Sequence, residues 1–243
     1  MAKQQKMKIS VIILVGEKIN DGLFKKCLNS VSWADEIVRV ETKNQQGSFS
    51  EWRNLGHKKA NGDWIFYVDT DEEITPSLQK EISNIINNPK IMFMGYQIPR
   101  KNIIFGKEFK YGGQYPDYQK RLFLKKDFKK WQGDLHETPE FEGKLGKINN
   151  SIIHHKDLTI SEMLEKTNDW SEIEGQLMFN ANHPKMNIFR FFSAGFREFY
   201  SRIIRQRAFM DGLYGVIYAF YQVYSRLISY SKLWEKQQFL TRI

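Results

Sequence analysis

The chain has 243 residues, enough for one sizeable core or a core with an appended segment, and its 41% apolar content excludes a disordered chain. Lys and Arg number 37 against 28 Asp and Glu, so the formal charge is +9; that balance points either to a polyanionic partner or simply to solubility. Cys27 is the single cysteine, which excludes an internal disulfide and a Cys-based zinc site and fits a reducing compartment.

"MAKQQKMKIS" runs directly into "VIILV", an apolar run too short for the core of a secretory signal and expected to be a strand buried on both faces. "NDGLFKKCLNSV" follows as a helix, with Asn20 or Asp21 as cap and Leu23, Cys27, Leu28 and Val31 on one side. "DEIVRVE" reads as a second strand. "SFSEWRNLGHKKA" reads as a second helix capped by Ser50, and "NGD" as the turn after it. "WIFYV" is the third strand, and "TPSLQKEISNII" the third helix, with Thr75 as cap and Pro76 at the first helical position. This alternation predicts an α/β fold: a Rossmann-like, mainly parallel sheet flanked by helices.

The rhythm then changes. "FMGYQIPRKNIIFGKEFKYGG" is expected to form an antiparallel ribbon, with "YQKRLFLKK" and "KINNSIIHH" as further strands. From Asp157 onward the pattern is helical, so the expected division is 1–156 and 157–243.

"WIFYVDTDEEIT" poses the chemical question, because Asp69, Asp71, Glu72 and Glu73 crowd the end of an apolar strand. Like charges this close repel, so something positive is expected beside them. In an extended segment residues i and i+2 face one side, which would bring Asp69 and Asp71 together in the crevice beyond the strand ends. Oxygen ligands with open positions suit Mg²⁺ or Mn²⁺ together with substrate phosphates. A solvated turn leading into the next helix is the plainer reading of the same residues.

The order of segments resembles family 2 glycosyltransferases of the GT-A fold, and among them the small bacterial enzymes that build the lipopolysaccharide inner core. "CLNSVSWADEIVRVE" and "RNLGHKKANGDWIFYVDTDE" carry the likeness in the first half, "YPDYQKRLF" and "WQGDLHE" in the acceptor-side half. The resemblance divides the catalytic part into a nucleotide-sugar half, about 7–98, and an acceptor half, about 99–156. It implies donor contacts from Glu41, Arg53, Asn54 and Asp69, with Glu17 matching an acid of the first strand's exit. Asp71 and Asp69 would hold the metal, joined by His154. Glu137 stands where the family has its catalytic base, and Asp134 is the runner-up. Asp117, Arg121 and His136 would touch acceptor or phosphate, although Asp117 and Arg121 could equally be an ion pair of their own. This chain departs from the family at "VGEKIN", in place of a "YNEE"-like run, and in a shorter stretch between Glu41 and Arg53.

The C-terminal segment mixes Phe, Tyr and Ile with Arg190, Arg197, Arg202, Arg205 and Arg207. Its charge-free run is too short to cross a bilayer, so it reads as interfacial helix, as ordinary core, or as a homo-oligomer contact. The expectation is an inverting, metal-dependent glycosyltransferase. It would be cytoplasmic and peripheral to an anionic membrane, with a nucleotide-sugar donor, a saccharide or lipid-linked saccharide acceptor, and no nucleic-acid partner. A membrane-surface or polyanion-binding module without enzymatic activity, or an inactive homologue of the same fold, are the other readings.

Overall fold

The computed structural model describes residues 6–17, 19–43, 47–88, 90–133, 137–157 and 159–239. The chain divides into two compact units: residues 1–101 with 116–155, and residues 102–115 with 156–243.

The first unit opens with alternating strands and helices. These are β1 (Ile9–Val15), α1 (Asp21–Ser30), β2 (Glu36–Glu41), α2 (Phe49–Lys59), β3 (Trp64–Tyr67), β4 (Glu72–Ile74) and α3 (Pro76–Ile86). β2, β1 and β3 pair in parallel. Both faces of this sheet are covered, and β3 shows how: Trp64, Phe66 and Val68 enter one apolar cluster with α1 and α3, while Ile65 and Tyr67 enter the other with Phe123, Phe128 and Trp131. A two-residue period in an all-apolar strand thus feeds two cores. α2 lies close against β1 at Gly56, where a Cβ would stand 2.4 Å from the Ile12 side chain.

Helix starts follow local chemistry. Asn20 caps α1 and Thr75 caps α3, with Pro76 at the first helical position. α2 corrects the expected cap: Ser48, not Ser50, closes it, through a capping box with Glu51, and Ser50 is buried inside the helix. Ser48→Ala should cost about 1 kcal/mol in a urea titration, because it strands the Glu51 amide.

The sheet continues through antiparallel strands. β5 (Gly95–Ile104), β7 (Asp117–Leu124) and β11 (Ile152–Asp157) complete the order β2-β1-β3-β7-β5-β11-β4. β6 (Lys107–Glu108) and β10 (Leu145–Lys147) pair with β5, and β8 (Phe128–Gln132) with β9 (Thr138–Phe141) forms a separate ribbon. The whole is a mixed α/β sheet flanked by helices.

The second unit holds α4 (Ile160–Asn180), α5 (Ile188–Phe199) and α6 (Gly212–Phe239), with a π turn over Tyr200–Arg205 and a 3₁₀ turn over Ala208–Asp211. It also takes the ribbon tip 102–115, which the sequence pattern puts in the acceptor half. The reason is packing: Ile104 and Phe109 share an apolar cluster with Met163 and Tyr218. The buried Asp211 carboxylate accepts the backbone amides of Lys110 and Tyr111. Among the described residues no helix is long and apolar enough to cross a membrane.

Candidate active site

The site lies within the first unit, beyond the carboxyl end of β3. β1 and β2 end beside it, leaving Glu17 just past β1 and Glu41 at the last position of β2, both exposed. The four acids after β3 go separate ways. Glu72 is fully buried and accepts the Asp69 amide at 3.0 Å, which closes the turn. Its carboxylate meets Arg121 at 2.9 Å and Arg100 at 3.4 Å. Asp69 is paired with Arg121 and, at 3.3 Å, with Arg53. The positive charge demanded by Asp69 and Glu72 is therefore supplied by arginines.

Two sheet features aim those arginines. Arg100 of β5 stands opposite Asp117 of β7, and its guanidinium binds the Asp117 carboxylate at 2.6 Å. The pairing of these strands then skips Arg121, a bulge of the kind that re-aims a side chain beside a site. The alternative of an Asp117–Arg121 ion pair gives way to Asp117–Arg100 and Arg121–Asp69. Burial alone would raise the Asp69 pKa, but Arg121 and then Arg53 outweigh it and hold the carboxyl well below its usual range. Burial likewise disfavours charge on Arg121, and Asp69 and Glu72 reverse that, so the guanidinium stays protonated.

Arg53 extends the network from α2. Its guanidinium lies 5.0 Å from the Trp131 ring centre and 5.7 Å from that of Tyr67, and its Nε meets Glu137 at 2.6 Å. Asn54 beside it is turned the other way. Its amide donates to the Trp131 carbonyl at 2.9 Å and its carbonyl accepts the Trp131 amide at 2.8 Å. Asn54 thus anchors β8 to α2. Burial raises the Glu137 pKa, and Arg53 offsets this in part, leaving a carboxylate more basic than an ordinary glutamate. Asp134 and His136 lie outside the described residues.

Asp71 is free of the arginine network. β4 pairs antiparallel with β11, setting His154 opposite Glu72, and the His155 amide donates to the Asp71 carbonyl at 2.9 Å. His154 Nε2 then stands 3.6 Å from Asp71 Oδ2, while His155 Nε2 stands 3.8 Å from Glu73. Of the two histidines, His154 is the one beside Asp71. Among the described residues no cluster of three or more His, Cys, Asp or Glu could hold a metal by itself. A carboxylate oxygen and an imidazole nitrogen side by side still fit a divalent cation that takes its other ligands from phosphate and water. Asp69, the other carboxylate expected at the metal, is engaged by two guanidiniums. Cys27 is buried near these acids, and burial chiefly pushes its thiol up to about 12, which disfavours the thiolate.

The sequence profile described as Glycosyl transferase family 2 matches residues 2–143. The chain belongs to glycosyl transferase family 2. Membership makes it a glycosyltransferase, and its mixed sheet with flanking and C-terminal helices is the GT-A arrangement expected of the family. An uncharacterized glycosyltransferase of Rickettsia conorii is 22% identical over 97% of this chain and 93% of its own length. One from Rickettsia felis is 23% identical over 94% and 90%. A crystal structure of Staphylococcus aureus TarS residues 1–349 with UDP-GlcNAc aligns with 96% of this chain and 92% of that one, at 12% identity and a TM-score of 0.42.

Within this family-2 enzyme, sequence reasoning missed Glu72 and Arg100 as members of the site. Glu72 stood in view among the acids. The signal for Arg100 was a charged residue in the middle of an otherwise strand-like "GYQIPRKNII".

Proposed function

We propose that this family-2 enzyme transfers a sugar, hexose or heptose, from a nucleoside diphosphate to a saccharide or lipid-linked saccharide, inverting the anomeric carbon. Two pairings support the reading: Asp71 beside His154, and Glu137 held against Arg53, which also reaches Asp69 at the end of β3. Asp71 and His154 would hold Mg²⁺ or Mn²⁺, whose charge offsets that of the departing diphosphate. Arg53, cationic and flat, is suited to phosphate oxygens as well as to Glu137. Glu17 and Glu41, exposed at the ends of β1 and β2, would contact the donor together with Asn54 and Asp69.

Glu137 takes the acceptor's hydroxyl proton. The freed oxygen forms a bond to the anomeric carbon as the bond from that carbon to the diphosphate oxygen breaks. The electron pair leaves with the nucleoside diphosphate. A single displacement from the opposite face inverts the configuration. The likeness of "YPDYQKRLF" and "WQGDLHE" to acceptor-side motifs of lipopolysaccharide inner-core enzymes supports a cell-surface glycan as product. Such an acceptor would have the enzyme work as a peripheral protein at the cytoplasmic membrane face.

The test is release of nucleoside diphosphate from a panel of nucleotide sugars with Mn²⁺. One donor should react, and Asp71→Ala should slow it about 100-fold or more, since charge stabilisation by a metal is worth several kcal/mol. Turnover unchanged in Asp71→Ala would overturn the assignment.

A further inference from the structure

α5 is amphipathic in an inverted sense. Its inner side is small: Ala194 and Gly195 are buried, and a Cβ at Gly195 would meet Leu227 of α6 at 3.1 Å. Its large side chains point the other way. Phe189, Phe192, Phe196 and Tyr200 recur at three- and four-residue spacing and are 52% to 81% exposed, with the Phe196 and Tyr200 rings stacked. Ile204, Phe209, Met210 and Leu213, in the turns that follow and at the start of α6, are exposed as well. Monomeric proteins rarely leave contiguous apolar area of this extent uncovered.

The charges around it have one sign. Arg190 and Arg197 flank the aromatic row on α5, and Arg205 and Arg207 lie in the turns; all are exposed, and none has an ion-pair partner among the described residues. The only acids between 185 and 217 are Glu198 and Asp211. Both are committed inward. Glu198 pairs with Arg202 at 2.7 Å and with Arg226 at 3.7 Å, and Asp211 holds the Lys110 and Tyr111 amides. A second copy of the chain would bring the same unneutralised guanidiniums to a symmetric contact. An anionic lipid surface supplies both what the phenylalanines and what the arginines lack.

We propose that the outer face of α5 and the turns after it form a docking surface for anionic lipid headgroups, with Phe189, Phe192 and Phe196 entering the acyl boundary and Arg190 and Arg197 on phosphates. This deepens the membrane-surface part of the reading above and rests on that part, not on the chemistry of Asp71 or Glu137.

The experiment is cosedimentation of the full chain with vesicles containing phosphatidylglycerol and with vesicles of phosphatidylcholine alone. Binding should favour phosphatidylglycerol and weaken with salt. Arg190→Gln with Arg197→Gln should weaken it about 25-fold, roughly fivefold per charge. Phe192→Ser with Phe196→Ser should weaken it roughly tenfold or more. Both changes are on the exposed face, so unaltered thermal midpoints are expected. Equal binding to both vesicles, no binding to either, or a stable dimer abolished by the phenylalanine changes would overturn the proposal. Stabilisation of the same proteins by a nucleoside diphosphate with Mn²⁺ separates the two readings. Its absence from the wild type would sink the catalytic reading and leave the surface standing; its presence without vesicle binding would sink the surface alone.

Discussion

Replacing Arg121 by methionine will destabilise the protein by about 3–5 kcal/mol, the cost of breaking a buried ion pair from one side. Arg121 is buried and is the link between Asp69 and the fully buried Glu72. Without it, two carboxylates share a site with Arg100 reaching only Glu72, at 3.4 Å, and Arg53 only Asp69. Desolvated like charges are the costly case. Adding Glu72→Gln to Arg121→Met should restore part of the loss, because it removes one of the stranded charges. Urea unfolding followed by tryptophan fluorescence measures both. A loss below about 1 kcal/mol for Arg121→Met would show that the network is a surface feature of the kind worth little.

Glu137→Gln will lower kcat by about 10²–10⁴-fold while leaving donor KM nearly unchanged, the signature of a group needed only when the acceptor proton moves. The pH profile tests the environment as well as the identity. A base works when ionised, so kcat/KM should fall as pH falls through the Glu137 pKa. Burial raises that pKa, so the acidic limb should lie above the ordinary glutamate range. Arg53 lowers it in part, so Arg53→Met should move the limb higher still, whatever it does to the plateau. A limb that moves down, or does not move, would mean that another group titrates.

Much of the fold was legible because the parallel half is written in local patterns: all-apolar strands, helix caps at Asn20 and Thr75, and Pro76 where a helix can accept it. The cap of α2 was misread because Ser48 and Ser50 look alike until the reciprocal bond from Glu51 is considered. The stretch past His183-Pro184 read as one longer helical region. Its break falls at the π turn and at Arg207, whose φ of 52° has no glycine or proline to announce it. At the site, Asp71, His154 and Glu137 were picked out as candidates by motif and strand alternation. Their neighbours were not, for a physical reason. Arg100 and Arg121 reach Glu72 across 28 and 49 positions of sequence, through a strand register and a bulge that no local pattern encodes. For the same reason the bonds from Asn54 to the β8 backbone were not foreseen.

The centre of the account is a proposed division of labour among the acids after β3: Asp69 and Glu72 pair with arginines, and Asp71 beside His154 would hold the cation. Titration with Mn²⁺ followed by electron paramagnetic resonance, with and without a nucleoside diphosphate, measures this directly. The wild type should bind about one Mn²⁺ per chain in the presence of nucleotide; Asp71→Ala should abolish that binding, and His154→Ala should weaken it roughly tenfold or more. Mn²⁺ held as tightly by Asp71→Ala as by the wild type would contradict the account.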